Sequence, residues 1–169
     1  MIVTLTGFMG SGKSCVGRIL AKKVGWKHVD LDRYIEHKCN QSIPDIFAQG
    51  GEERFRAIES EALRDLVVMD KIAGGNTILS LGGGTITVDV SREMILNQTE
   101  SVYLETSLDT IFGRIGTSSK SRPLFKDKYK VEELIDSRTP LYEMAKYKVK
   151  TDGLKAEQVA DEIVKMLWD

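Results

Sequence analysis

Ile2-Val3-Thr4-Leu5-Thr6-Gly7-Phe8-Met9-Gly10-Ser11-Gly12-Lys13-Ser14 decides how the rest of the chain is read. The first five residues are an apolar run of strand length, and the next eight satisfy G-x-x-x-x-G-K-[ST]. Glycines let such a loop wrap until successive backbone N–H groups converge on an anion at a helix N-terminus. The helix is expected over Val16 to Val24. In that setting Gly10, Ser11, Gly12, Lys13, Ser14 and Cys15 would cradle a polyphosphate. Lys13 could reach the β- and γ-phosphates, and the Ser14 hydroxyl could ligate Mg²⁺.

Outward from this loop, short apolar runs alternate with helical patterns. Thr77 to Leu81 and Ser101 to Leu104 read as buried strands, with Lys27 to Asp30 and Tyr147 to Lys150 as further candidates. Phe55, Ile58, Ala62, Leu66 and Met69 form one apolar stripe on a long helix, and Val159, Ala160, Ile163, Val164 and Leu167 form another. Strand and helix in alternation predict a three-layer α/β sandwich, a parallel sheet covered on both faces. With 169 residues and no repeat or linker, one domain over 1–169 is expected. Two stretches exceed the plain alternation: 31 to about 60 holds two or three helical pieces, and 116 to 128 is polar and basic. Such insertions commonly carry lids and substrate-binding segments.

A formal net charge of −1 gives no basic field for nucleic acid or anionic lipid. Met1 to Gly7 reaches glycine too soon for a leader or a membrane span. Cys15 and Cys39 are too far apart for a paired-ligand motif and read as reduced thiols of a cytoplasmic protein. His28 and His37 lack the companions of a zinc site and read as structural.

Val29-Asp30-Leu31-Asp32 places two carboxylates two apart at a strand end, on one face by strand periodicity. One could hold Mg²⁺ directly or through water while the other orients or deprotonates a hydroxyl; equally, Asp30 could simply N-cap the following helix. Gly82-Gly83-Gly84 follows the third strand as either a tight turn or a close approach of backbone to ligand. Arg56 could be a surface pair with Glu52 or Glu59. Arg122, in the basic segment, could offset the charge of a transferring phosphoryl group, and Arg138 has only Glu133 and Asp136 as nearby acids in sequence.

The motifs GFMGSGKS, VDLD, GEERFRAIE, LGGG, SRPL and SRTPLY, in this order and at these separations, resemble the shikimate kinase family over about residues 3 to 150. The resemblance implies a P-loop NTPase-type sheet of five parallel strands in the order 2-3-1-4-5. It also implies a substrate-binding segment at about 31–60 and a lid at about 116–128. The implied reaction is transfer of the γ-phosphate of ATP to the 3-hydroxyl of shikimate, in aromatic amino-acid biosynthesis, by a cytoplasmic monomer. Lys13, Asp32 and Arg122 would be catalytic, and Arg122 would also meet the nucleotide. Ser14 would bind Mg²⁺, with Asp30 behind it through water. Asp32, Arg56, Gly82, Gly83, Gly84 and Arg138 would bind shikimate, with Glu59 holding Arg56. Arg114 would stack near adenine, and Thr151 to Leu154 would form an adenine loop without the family's proline.

A gluconate-type kinase of the same architecture is the nearest alternative. A GTP-dependent switch would need D-x-x-G and N-K-x-D, and neither occurs. A non-catalytic relative should lack Lys13, Asp32 or Arg122, and all three are present.

Overall fold

A computed structural model describes residues 1–116 and 128–169. The described strands are β1 (Ile2–Thr6), β2 (Lys27–Asp30), β3 (Thr77–Ser80), β4 (Glu100–Glu105) and β5 (Tyr147–Lys150). They pair in parallel in the order β2-β3-β1-β4-β5. The helices are α1 (Lys13–Val24), α2 (Leu31–Cys39), α3 (Ile43–Ala73), α4 (Asp89–Gln98), α5 (Leu108–Gly116), α6 (Lys128–Tyr142) and α7 (Ala156–Trp168).

Strand periodicity sorts the core onto two faces. Val3, Leu5, Ile78, Val102 and Leu104 pack with Val16 and Leu20 of α1 and Val159, Ala160 and Ile163 of α7. Ile2, Leu79 and Tyr103 face the other way, onto Leu31, Ile35, Leu63, Val67, Ile95 and Tyr142. Every residue of β1 is buried, as expected of the middle strand of a sheet covered on both sides.

Helix α1 begins at Lys13, three residues before the expected Val16, because the phosphate loop itself supplies its first turn. Gly51 (φ 69°, ψ −168°) breaks α3, so 31–60 holds α2 and the two arms of a bent helix. The stripe on α3 ends early: Phe55 and Ala62 are buried, but Met69 is exposed. At the C-terminal helix Val164 and Leu167 are only partly buried. Of the segment 116–128, residues 117–127, with Arg122 and the motif SRPL, lie outside the described residues.

Candidate active site

The carboxyl ends of β1, β2 and β3 converge on a cleft of about 350 Å³ lined by Gly10, Gly12, Lys13, Ser14, Cys15, Asp30, Asp32, Gly82 and Gly83. Gly10 (φ 84°) and Gly12 (φ 93°) take left-handed conformations that a side chain would strain, which is what the loop needs to fold over an anion. Lys13 is buried, and its Nζ donates to the Gly7 carbonyl (2.7 Å) and the Phe8 carbonyl (3.0 Å). The ammonium thus already sits inside the loop. Ser11 Oγ is buried with no hydrogen-bond partner among the described residues. A glycine-rich loop at a helix N-terminus that also holds an ammonium suits phosphate oxygens, which accept from backbone N–H groups and from the lysine alike.

Asp30 takes the N-cap role that its sequence left open and also bonds the phosphate-loop serine. As N-cap of α2 its Oδ1 accepts from Arg33 N (3.2 Å), while Oδ2 accepts from the Ser14 hydroxyl. Two hard oxygen donors side by side at the end of a phosphate loop suit Mg²⁺, which prefers few protein ligands and fills its octahedron with water and phosphate. Among the described residues, no group of three or more His, Cys, Asp or Glu forms a site that could hold a metal by itself.

Asp32 differs from the expected placement. Strand periodicity put it on the face of Asp30, but β2 ends at Asp30 and Asp32 lies in the first turn of α2. It still reaches the cleft, because the first turn of α2 runs past the glycine loop: a Cβ on Gly82 would lie 3.0 Å from Asp32 Oδ1 and 3.2 Å from Glu59 Oε2. Burial pushes the Asp32 carboxyl up to about 6, helped by repulsion from Glu59 and Asp30 and opposed by Lys13 and Arg56.

Arg56 is not a plain surface pair. Its NH1 donates to Glu59 Oε1 (2.8 Å), and Glu59 is fully buried, with Oε2 accepting from Thr85 Oγ1 (2.9 Å). A charge with no water around it is held only where partners satisfy it, so Glu59 and Arg56 fix each other. Among the described residues Arg56 Nε is buried without a hydrogen bond, its ion-pair neighbour being Glu52 Oε1 at 3.5 Å. A Cβ at Gly84 would come within 2.1 Å of Arg56 NH2, so glycine there lets the guanidinium keep the position its bond to Glu59 sets. Arg138, also buried, has its Cζ 5.9 Å from the Phe8 ring centroid, and a Cβ at Gly83 would lie 3.7 Å from its NH1.

The fold therefore gathers Lys13, Ser14, Asp30, Asp32, Gly82 and Gly83 around one cleft, with Arg138 and Arg56 beside its glycine turn, next to Gly83 and Gly84. Cys15 is exposed at its mouth. Arg114 lies alongside: its NH1 donates to the Gly10 carbonyl (2.9 Å). In the loop after β5, Asp152 Oδ1 accepts from Ser107 N (3.1 Å), tying it to the start of α5. Arg122 lies outside the described residues. Thr85 was missed, although a hydroxyl directly after three glycines was its only sequence signal. His28 bonds Ser80 Oγ (2.9 Å) between β2 and β3, in line with a structural role.

The family model described as "Shikimate kinase" matches residues 9–168. A shikimate kinase of Thermus thermophilus is 44% identical over 169 residues, spanning 98% of this chain and 89% of that protein. Among solved structures, shikimate kinase from Acinetobacter baumannii in complex with shikimate superposes with a TM-score of 0.88 at 34% identity, covering 98% of this chain and 92% of the other. The Aquifex aeolicus shikimate kinase gives 0.83 at 30% identity, covering 99% and 96%.

Proposed function

The chain belongs to the shikimate kinase family, and from that membership we infer how its cleft works. It phosphorylates the 3-hydroxyl of shikimate with ATP, releasing ADP and shikimate 3-phosphate for aromatic amino-acid biosynthesis. The observation that carries the assignment of roles is the position of Asp32: a carboxyl near pH 6 between the lysine of the phosphate loop and the Arg56–Glu59 pair.

On this reading, the nest of Gly10 to Cys15 binds the phosphates of ATP, and Lys13 exchanges its two loop carbonyls for phosphate oxygens. The carboxylate of shikimate meets Arg56 and Arg138, whose planar forks suit a carboxylate and set one hydroxyl in line for attack. Arg56 brings to that contact an Nε that no described residue hydrogen-bonds, and Gly82 to Gly84 let the acceptor approach the backbone. Asp32 accepts a hydrogen bond from the attacking hydroxyl and takes its proton as the oxygen–phosphorus bond forms. A base near 6 is ionised at neutral pH yet basic enough for that transfer. Ser14, backed by Asp30 through water, would hold Mg²⁺, which neutralises charge on the phosphates when bound. Arg122 would approach the γ-phosphate from segment 116–128 as a lid, and 31–60 would be the acceptor-binding segment. We take the enzyme to act as a cytoplasmic monomer that needs neither membrane nor nucleic acid. No helix among the described residues is long and apolar enough to cross a membrane.

The test is a coupled ADP-release assay with Mg·ATP and four acceptor conditions: shikimate, gluconate, a nucleoside monophosphate and none. Release with shikimate alone is expected. Release with gluconate instead would leave the phosphate loop assigned and the two-arginine acceptor site wrong.

A further inference from the structure

Tyr142 ends the motif that carries Arg138, does not line the phosphate cleft, and has no role in the mechanism above. Its surroundings are nonetheless specific. It is 1% exposed, and its ring stacks on Tyr103 with centroids 5.3 Å apart. Its hydroxyl donates to the Gly83 carbonyl at 2.5 Å, and the Arg138 guanidinium lies close by, its charge acting on the same phenol and its NH1 3.7 Å from where a Cβ on Gly83 would sit. Arg138 and Tyr142 are four apart on α6 and so share a helix face.

A phenol carries one proton. Donation to Gly83 commits it, so the oxygen can meet Arg138 only as an acceptor. Burial pushes the phenol up to about 12, so the proton stays in place at any working pH. Tyr142 therefore ties α6 to the Gly83 carbonyl, beside the same peptide that the Arg138 guanidinium borders. A long arginine side chain otherwise carries much rotamer freedom, and freedom removed before binding need not be lost on binding.

We propose that Tyr142 is a positioning residue for acceptor recognition, locking the Arg138 fork and the Gly83–Gly84 peptide into one preformed surface for the acceptor's carboxylate end. This rests on the reading that Arg138 answers that carboxylate. The same contact reaches the phosphate loop, since a Cβ on Gly83 would lie 3.3 Å from Met9 N.

Tyr142→Phe removes the hydroxyl and keeps the stacked ring. The KM for shikimate should rise about fivefold, the worth of one lost neutral hydrogen bond. The KM for ATP and the kcat at saturating shikimate should stay within about twofold, because ring packing is unchanged. A double-mutant cycle separates positioning from packing: in an Arg138→Ala background, Tyr142→Phe should change the shikimate KM no further. An unchanged shikimate KM in Tyr142→Phe, equal losses with and without Arg138, or an equal rise in the KM for ATP would each overturn the proposal. A raised KM in Arg138→Ala beside a normal one in Tyr142→Phe refutes this inference alone. A normal KM in Arg138→Ala refutes the arginine's assigned role and the inference with it.

Discussion

Asp32→Asn should make the protein more stable at neutral pH while removing most of its turnover. In the folded chain the Asp32 carboxyl is pushed from 3.8 to about 6, chiefly by burial and secondarily by Glu59 and Asp30. Folded protein therefore holds this proton more tightly than unfolded protein, and ionisation opposes folding. The sign follows from linkage: stability falls as pH rises between 3.8 and about 6, and the full penalty remains above that window. The penalty is about 1.6 kcal/mol at pH 5 and about 3 kcal/mol at pH 8. Asparagine keeps the shape and never ionises, so its advantage over aspartate should grow by about 1.4 kcal/mol across that interval. For a chain of this size that amounts to roughly 3–6 °C of melting temperature. Urea unfolding of both proteins at several values from pH 5 to pH 8 reads the difference directly. In parallel, the kcat/KM of the parent for shikimate should decline below about pH 6, since that ratio reports the free enzyme's base. A stability gap that does not widen with pH, or an acid limb near 4, would mean that Asp32 is not a buried, strained base and would refute the reasoning.

The rest of the acceptor site yields two further expectations. Arg56→Ala should raise the KM for shikimate about 30-fold with little change for ATP, and lower stability by about 2–3 kcal/mol by leaving buried Glu59 with Thr85 alone; an unchanged shikimate KM in steady-state kinetics would return Arg56 to a structural pair. Gly84→Ala should reproduce the kinetic defect, because its methyl group would occupy the position of Arg56 NH2, whereas Gly74→Ala, at a left-handed helix end far from the cleft, should cost about 1 kcal/mol and leave KM alone. Comparing melting curves and KM for the two alanine variants separates loss of the site from loss of backbone freedom.

Much of the architecture was legible because it is set by neighbours in sequence. An apolar strand that runs into G-x-x-x-x-G-K-S specifies its own loop and the helix after it, and alternation of residues such as Val3 and Leu5 with Thr4 specifies two covered faces. Asp30 as N-cap was readable for the same reason: the bond to Arg33 N spans three residues. Periodicity failed for Asp32, where a strand period was carried one turn into a helix, and for Met69, where the helix outruns the core it covers.

What makes the cleft chemical depends on residues brought together across long separations. The Arg56–Glu59 pair could be guessed from spacing, yet three-residue spacing is equally common on a solvated surface. Only burial of Glu59 against Thr85, 26 residues on, makes it a fixed support. The raised carboxyl of Asp32, the close packing of Arg56 against Gly84 and the bond from Tyr142 to Gly83, 59 residues apart, likewise arise from packing among α2, α3, α6 and the loop after β3. By itself, then, the sequence determined the sheet, the phosphate loop and the family, whose patterns are local or ordered along the chain. Tertiary structure alone decided which carboxyl is strained and which arginines are held, because desolvation and Coulomb interaction depend on distance in space and not along the chain.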